Sequence, residues 1–447
     1  MTRAVNGARV KSHALYLPYR EETLDNGLRV LVIPRPEVHR AVITMLFRVG
    51  SRFESAGDNG ISHFLEHMLY RGSPSLKTAH DQALAFEGLG ASLYAATQAD
   101  YGTMNLTLPP ESLAAAVPLF AEVVKSPRFS SIETERGIVR EEILEDLDDD
   151  GRQIDADNLV RELIYDEHPL GFSITGPIEH LDQFDKAKLR RHHARHYTAS
   201  NAVLCFAGAV STASCLRMAR KHFSDLKPGR RVAGEEPRFA QKKPRVSHVA
   251  NASSQTTLRV AFRALSDRDP REPALEMLLR VLDDGMSTRL YERICDDKGL
   301  CYDVGALYES YEDDGVFDIA AEAQHARIAD VVREILGILR DLAERGPSTE
   351  ELDRAKARNG WQMRAMLDDA EGLAGYFALS ALAGLVPTPA ERHEQLVAVA
   401  PKDVREVADL VFRSERMSVV TVGSLGDAKR ETLARALETF RSSTANG

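Results

Sequence analysis

Between Leu226 and Arg245 the chain loses all hydrophobic periodicity, as Pro228, Pro237 and Pro244, Gly229 and Gly234 and a cluster of Lys and Arg interrupt it. Proline lacks the backbone donor and glycine the conformational bias that a helix or central strand needs, so this stretch reads as a linker. It divides a chain of 447 residues, too long for one ordinary core, into two halves. Both halves carry strands and helices interleaved in a similar order. In the first, Asn26-Gly27 is a turn signal, apolar strands follow at 28–33 and 41–47, helical segments come next, and a strand at 203–208 ends the half. In the second, a strand at 257–262, a helix at 273–282, and strands at 315–321 and 417–423 repeat that order, and Ser348 with Glu351 marks a capping box for a helix through Trp361. The two halves share little identity, so the repeat lies in the order of elements. The pattern predicts an α+β chain of two related α+β domains, residues 1–225 and 247–447, joined by the linker 226–246.

Chemistry concentrates in the first half, at His63-Phe64-Leu65-Glu66-His67. At about 100° per residue, His63 and His67 stack on one helix face with Glu66 beside His67. Two neutral imidazoles one turn apart can hold one zinc ion, and the adjacent carboxylate can take a proton from water, which suggests metal-assisted hydrolysis. The order is H-x-x-E-H, the inverse of the commoner H-E-x-x-H helix. The competing reading is a polar stripe facing water. Against it, Ile61, Phe64, Leu65, Met68 and Leu69 flank the motif with apolar side chains, so the helix is expected inside the fold, where His and Glu need partners.

A catalytic zinc usually takes three protein ligands and leaves a fourth position open. The segment 132–144 supplies candidates: Ile138, Val139, Ile143 and Leu144 give it a helical apolar face, and Glu135 and Glu142, seven apart, fall on nearly the same side. Glu141 competes with Glu142, and the seven-residue step from Glu135 favours Glu142.

Gly60 to Met68, with Glu135-Arg136 and Glu142 about 75 positions after His67, resembles the pitrilysin or M16 zinc peptidases, which include the mitochondrial processing peptidase. The resemblance extends over most of the chain, through Leu24 to Val30, Pro169-Leu-Gly171 with Gly176, Gly299-Leu-Cys-Tyr302, and Glu350-Glu-Leu352 with Lys356. It implies one Zn2+ per chain held by His63, His67 and Glu142, Glu66 as general base, and Glu135 as an acid behind the ligands. It implies a zinc endopeptidase or oligopeptidase acting on extended peptides, with a non-catalytic partner subunit as the alternative reading. The helix at 273–282 has no His, so only the first half is expected to bind metal.

In this family a peptide pairs by strand addition with the segment matching residues 90–97, where Tyr94 stands in place of the common Asn. The second half commonly supplies an Arg and a Tyr seven residues apart to hold the substrate. Tyr302 takes the Tyr place, but Cys295 stands at the Arg place, with Arg293 two positions earlier, about 200° away on a helix. The resemblance therefore implies a dimer, and the missing cation suggests an M16-type partner subunit that contributes it.

A formal charge of −10 and the lack of a basic, aromatic-interleaved stripe exclude nucleic acid as the expected partner. Cys205, Cys215, Cys295 and Cys301 form no metal or redox motif and fit a reducing compartment. The N-terminal segment carries Arg3, Arg9 and Lys11 without a continuous apolar core, and no apolar run approaches the roughly 20 residues a membrane span needs. Composition thus predicts a soluble cytoplasmic protein without a membrane partner. His192, His193 and His196 lie among Lys186, Lys188, Arg190, Arg191 and Arg195, which reads as a solvated cationic face. The acidic run from Glu141 to Asp150, with Asp155 and Asp157, reads as mostly water-facing, and Tyr70 and Tyr101 as packing residues.

Overall fold

The computed structural model describes residues 10–385 and 388–444; Arg3 and Arg9 lie outside the described residues. Six strands form a first sheet: β1 (Arg20–Thr23), β2 (Arg29–Pro34), β3 (Ala41–Phe47), β4 (Ser92–Thr97), β5 (Gly102–Leu108) and β6 (Ala202–Gly208), ordered β1-β2-β6-β3-β5-β4. Five form a second: β7 (Arg245–Val249), β8 (Thr256–Ala264), β9 (Val304–Ser310), β10 (Gly315–Ala323) and β11 (Met417–Val422), ordered β7-β11-β8-β10-β9. Without β1 the two orders match strand for strand. In each, the first strand pairs parallel with the last, and the remaining pairs are antiparallel. The repeat expected from element order is therefore a repeat of topology, and the chain is two related α+β domains.

Both faces of each sheet are covered, which is why the central strands read as nearly unbroken apolar runs. Along β3, Ala41, Ile43, Met45 and Phe47 pack on helices of their own half, while Val42 and Leu46 point the other way. That second face is closed by a helix from the far half, Ala370–Ala383, whose Leu373, Phe377 and Ala381 join Leu31, Ile33, Val203 and Cys205. The reverse exchange covers the second sheet. Val160, Ile164 and Tyr165 of the Ala156–Tyr165 helix pack against Ala261, Val420 and Val422. Each half thus lends one helix to the other.

Ion pairs also join the halves. Arg48 and Arg52 meet Glu312 and Asp313 of the β9–β10 turn, the first at 2.7 Å, and Arg161 meets Glu309 at 2.6 Å. The acidic run does not all face water. Asp155 caps the Ala156–Tyr165 helix through Asn158 N–H, and Asp157 pairs with Arg259 of β8. The helix Lys186–His196 departs further from expectation. His196 is fully buried and donates to Arg48 O at 2.9 Å, His193 donates to Val124 O at 2.8 Å and stacks on Tyr197, and His192 meets Ser62 at 3.0 Å. Arg190, Arg191 and Arg195 are exposed and Lys188 pairs with Asp58 at 2.7 Å, but the histidines form the inner face, which abuts Ser62 of the Ile61–Met68 helix, Val124 and Arg48. Among the described residues no helix is long and apolar enough to cross a membrane.

Candidate metal centre

The H-x-x-E-H segment lies on the eight-residue helix Ile61–Met68, seated by burial of Ile61, Phe64, Leu65 and Met68. Gly60 begins it at φ 95°, with the Thr175 carbonyl so close that a Cβ would come within 2.4 Å. Only glycine fits there. The first turn is capped from a distance, since the buried Glu54 carboxylate accepts the N–H groups of Gly60 (2.9 Å) and Ser62 (2.8 Å) and the Asn59 amide (3.1 Å). Burial raises the Glu54 pKa, and these donors oppose the rise.

The helix Ile132–Glu145 lies alongside, anchored by Val139 and Ile143. It turns Glu135 and Glu142 toward the motif, while Glu141 is exposed, so the choice left open between Glu141 and Glu142 falls to Glu142. His63 Nε2 is 3.4 Å from Glu142 Oε1 and His67 Nε2 is 3.4 Å from Glu142 Oε2. Ligand atoms of all three lie within 4.8 Å of one another, the one such group among the described residues. Zinc bonds of about 2.0–2.1 Å at tetrahedral angles separate ligand atoms by roughly 3.4 Å, which the two His–Glu142 separations match, so the donor set fits zinc. The two imidazoles hold the Glu142 carboxyl well below the usual range.

His67 Nδ1 hydrogen-bonds Glu135 Oε2 at 3.0 Å, which fixes the ring and leaves Nε2 for the centre. Glu135 is buried, and Arg71 pairs with its other oxygen. His63 Nδ1 is buried without a hydrogen-bond partner. Glu66 accepts a 3.0 Å hydrogen bond from Thr97 Oγ1 of β4, and burial raises its pKa against the pull of His63 and Thr97. A hollow of about 500 Å³ opens beside the motif, lined by Glu66, His67, Tyr70, Phe86, Leu93 and Ile138.

Tyr302 is not brought to this group. Its side chain is 93% exposed and lines a separate hollow with Asp155, Asp157 and Arg259. Arg293 is engaged by Glu334 at 2.8 Å, on a π-helical turn, Tyr291–Asp296, that also carries Cys295. Sequence reasoning missed Glu54, Arg71, Thr97 and the use made of Tyr70, whose hydroxyl accepts the Ala95 N–H. The alternation of β4 could have placed Thr97 on the inner face with Leu93 and Ala95. Glu54 carried no local signal.

Residues 29–178 match the family described as insulinase (peptidase family M16), and residues 183–359 match the peptidase M16 inactive domain. An uncharacterized zinc protease of Rickettsia bellii is 29% identical over 411 residues, 89% of this chain and 96% of that protein. One from Mycobacterium tuberculosis is 31% identical over 352 residues, 77% of this chain and 79% of that protein. Solved structures share the fold. A protease from Helicobacter pylori has a TM-score of 0.83 at 22% identity, covering 92% of this chain and 100% of that one, and an M16 inactive-domain protein from Pseudomonas fluorescens has 0.84 at 22%, covering 92% and 99%. With the M16 models matched across both halves and zinc proteases among its relatives, the chain belongs to the M16 family of zinc metallopeptidases.

Proposed function

We propose that this chain is a zinc-dependent endopeptidase or oligopeptidase that hydrolyses extended, unfolded peptides. The convergence of His63, His67 and Glu142 beside a half-buried Glu66 carries the reading. Those three would hold the ion, and zinc bound there supplies Lewis acidity toward a water and a peptide carbonyl. Glu66 takes a proton at its carboxylate from the attacking water and returns it to the leaving amine, and Thr97 holds that carboxylate in place. Glu135 orients His67. β4 stands at the sheet edge next to Glu66, so an extended peptide can add to it as a further strand, and the neighbouring hollow, walled by Phe86, Leu93 and Ile138, suits an apolar side chain.

We further propose that a second subunit completes the substrate side, because Tyr302 is exposed and lines a hollow other than the one beside the motif, and Arg293 is tied to Glu334. The test is metal analysis with peptide-hydrolysis assays on the chain alone. Glu66→Gln is expected to keep its zinc and lose about a hundredfold or more in turnover, while His63→Ala, His67→Ala and Glu142→Ala lose the metal. An active Glu66→Gln enzyme rejects the mechanism. Full activity of the isolated chain as a monomer or homodimer, with Tyr302→Phe strongly impaired, rejects the partner subunit.

A further inference from the structure

The free edge of β4 is not uniformly open. Gln98 N–H donates to Tyr101 O at 2.8 Å across the β4–β5 turn, and the strands then run in register from Thr97 opposite Gly102. Hydrogen-bonded pairs alternate in an antiparallel ladder. Ser92, Tyr94 and Ala96 therefore turn their main-chain groups toward β5, and Leu93, Ala95 and Thr97 turn theirs outward. Of the three outward N–H groups, that of Ala95 is taken by the Tyr70 hydroxyl. Tyr70 stands one turn beyond Glu66, which is bonded to Thr97. Two side chains four residues apart, leaving the metal helix, thus grip two residues on alternate positions of the strand, and both line the same hollow.

We propose that Tyr70 sets the point at which a peptide paired on β4 leaves the ladder. The inference rests on the strand-addition reading above. A peptide laid along this edge finds Leu93 and Thr97 ready to pair, but the peptide carbonyl that would accept from Ala95 N–H meets a donor already occupied. That carbonyl is released from the edge beside Glu66 and is free to turn toward His63, His67 and Glu142. Burial lifts the Tyr70 phenol to about 12, so it stays neutral in its place near Glu66.

Tyr70→Phe keeps the ring and removes the acceptor. By hydrogen exchange, the Ala95 amide is expected to be protected in the free wild-type chain, to exchange faster in Tyr70→Phe, and to regain protection there when an unfolded peptide is added in a Glu66→Gln background. In the zinc-loaded chain, Tyr70→Phe is expected to lower kcat about five- to tenfold, the scale of one hydrogen bond, with KM falling or unchanged and metal content intact. Unchanged exchange at Ala95 overturns the proposal, as does unchanged kcat, or a raised KM accompanied by a lowered melting temperature, which marks a packing role. If the zinc-loaded wild-type chain cleaves no peptide even with a partner subunit supplied, the peptidase reading fails by itself. The exchange arm still decides the edge: no renewed protection of Ala95 on peptide addition overturns the role of Tyr70.

Discussion

At the scale of single residues, the structure adds partners that spacing along the chain does not show. The H-x-x-E-H helix and the seven-residue step from Glu135 to Glu142 were legible because both are local periodicities of one helix each. Thr97 reaches Glu66 across 31 positions, and no pattern in either segment announces it. We expect Thr97→Val to retain zinc and stability but to lower kcat about tenfold at unchanged KM, since the methyl keeps the volume and loses the donor that aims the base. Thr97→Ser should restore most of the loss. Equal kcat for the wild type and Thr97→Val, with metal content matched, would remove Thr97 from the mechanism.

At the scale of elements, two helices show where sequence reading succeeds and where it misleads. The metal helix was legible from its apolar stripe, but its cap was not, because Glu54 lies six residues before the first N–H it accepts and belongs to no capping pattern. Glu54→Ala leaves the Gly60 and Ser62 N–H groups without their acceptor, at about 1–3 kcal/mol for each buried group, while the Asn59 amide keeps the Ser173 carbonyl. We expect a lowered melting temperature and weaker zinc binding together in that variant. An unchanged zinc affinity would show that the motif holds its shape without the cap.

The helix Lys186–His196 was misread because its charges are conspicuous in sequence while its buried face is defined by Ser62 and Val124, far away in the chain. Burial pushes His193 and His196 down to about 4. Unfolded histidines bind protons below about 6.5, whereas these do so only near 4, so the unfolded state carries more protons in between. Stability therefore falls on acidification from about 6.5 toward 4. Asp100, Asp267 and Asp318, raised to about 6 by burial, act in the opposite direction in part of that window. Comparing His193→Phe with the wild type isolates the one group. Urea unfolding between pH 7 and 4.5 should show the wild type losing up to roughly 3 kcal/mol relative to the variant, and parallel stability curves would refute buried neutral His193.

At the scale of the whole molecule, the order of elements made two α+β halves legible, but not which helix covers which sheet. The Ala370–Ala383 helix is rich in Ala and Leu and reads as buried, yet nothing local says that its cover lies on β3 and β6 of the other half. Phe377 is fully buried there. Phe377→Ala is expected to cost about 3–5 kcal/mol, and to loosen the first sheet although the residue belongs to the second half. Hydrogen exchange resolved by segment checks this: faster exchange in β3 and β6 is expected, and a loss confined to β7–β11 would contradict the exchanged packing.

That exchange of helices also sets a timetable for synthesis. The first sheet is complete in sequence once β6 ends at Gly208, but the helix that closes its second face ends at Ala383, 383 − 208 = 175 residues later. At roughly 5–20 residues per second, the nascent sheet waits on the order of 10–35 s with Leu31, Ile33, Val42, Leu46 and Val203 uncovered. The H-x-x-E-H helix packs on the opposite face of that same sheet, so the proposed zinc site is assembled on a platform that is finished only once the far half has been made.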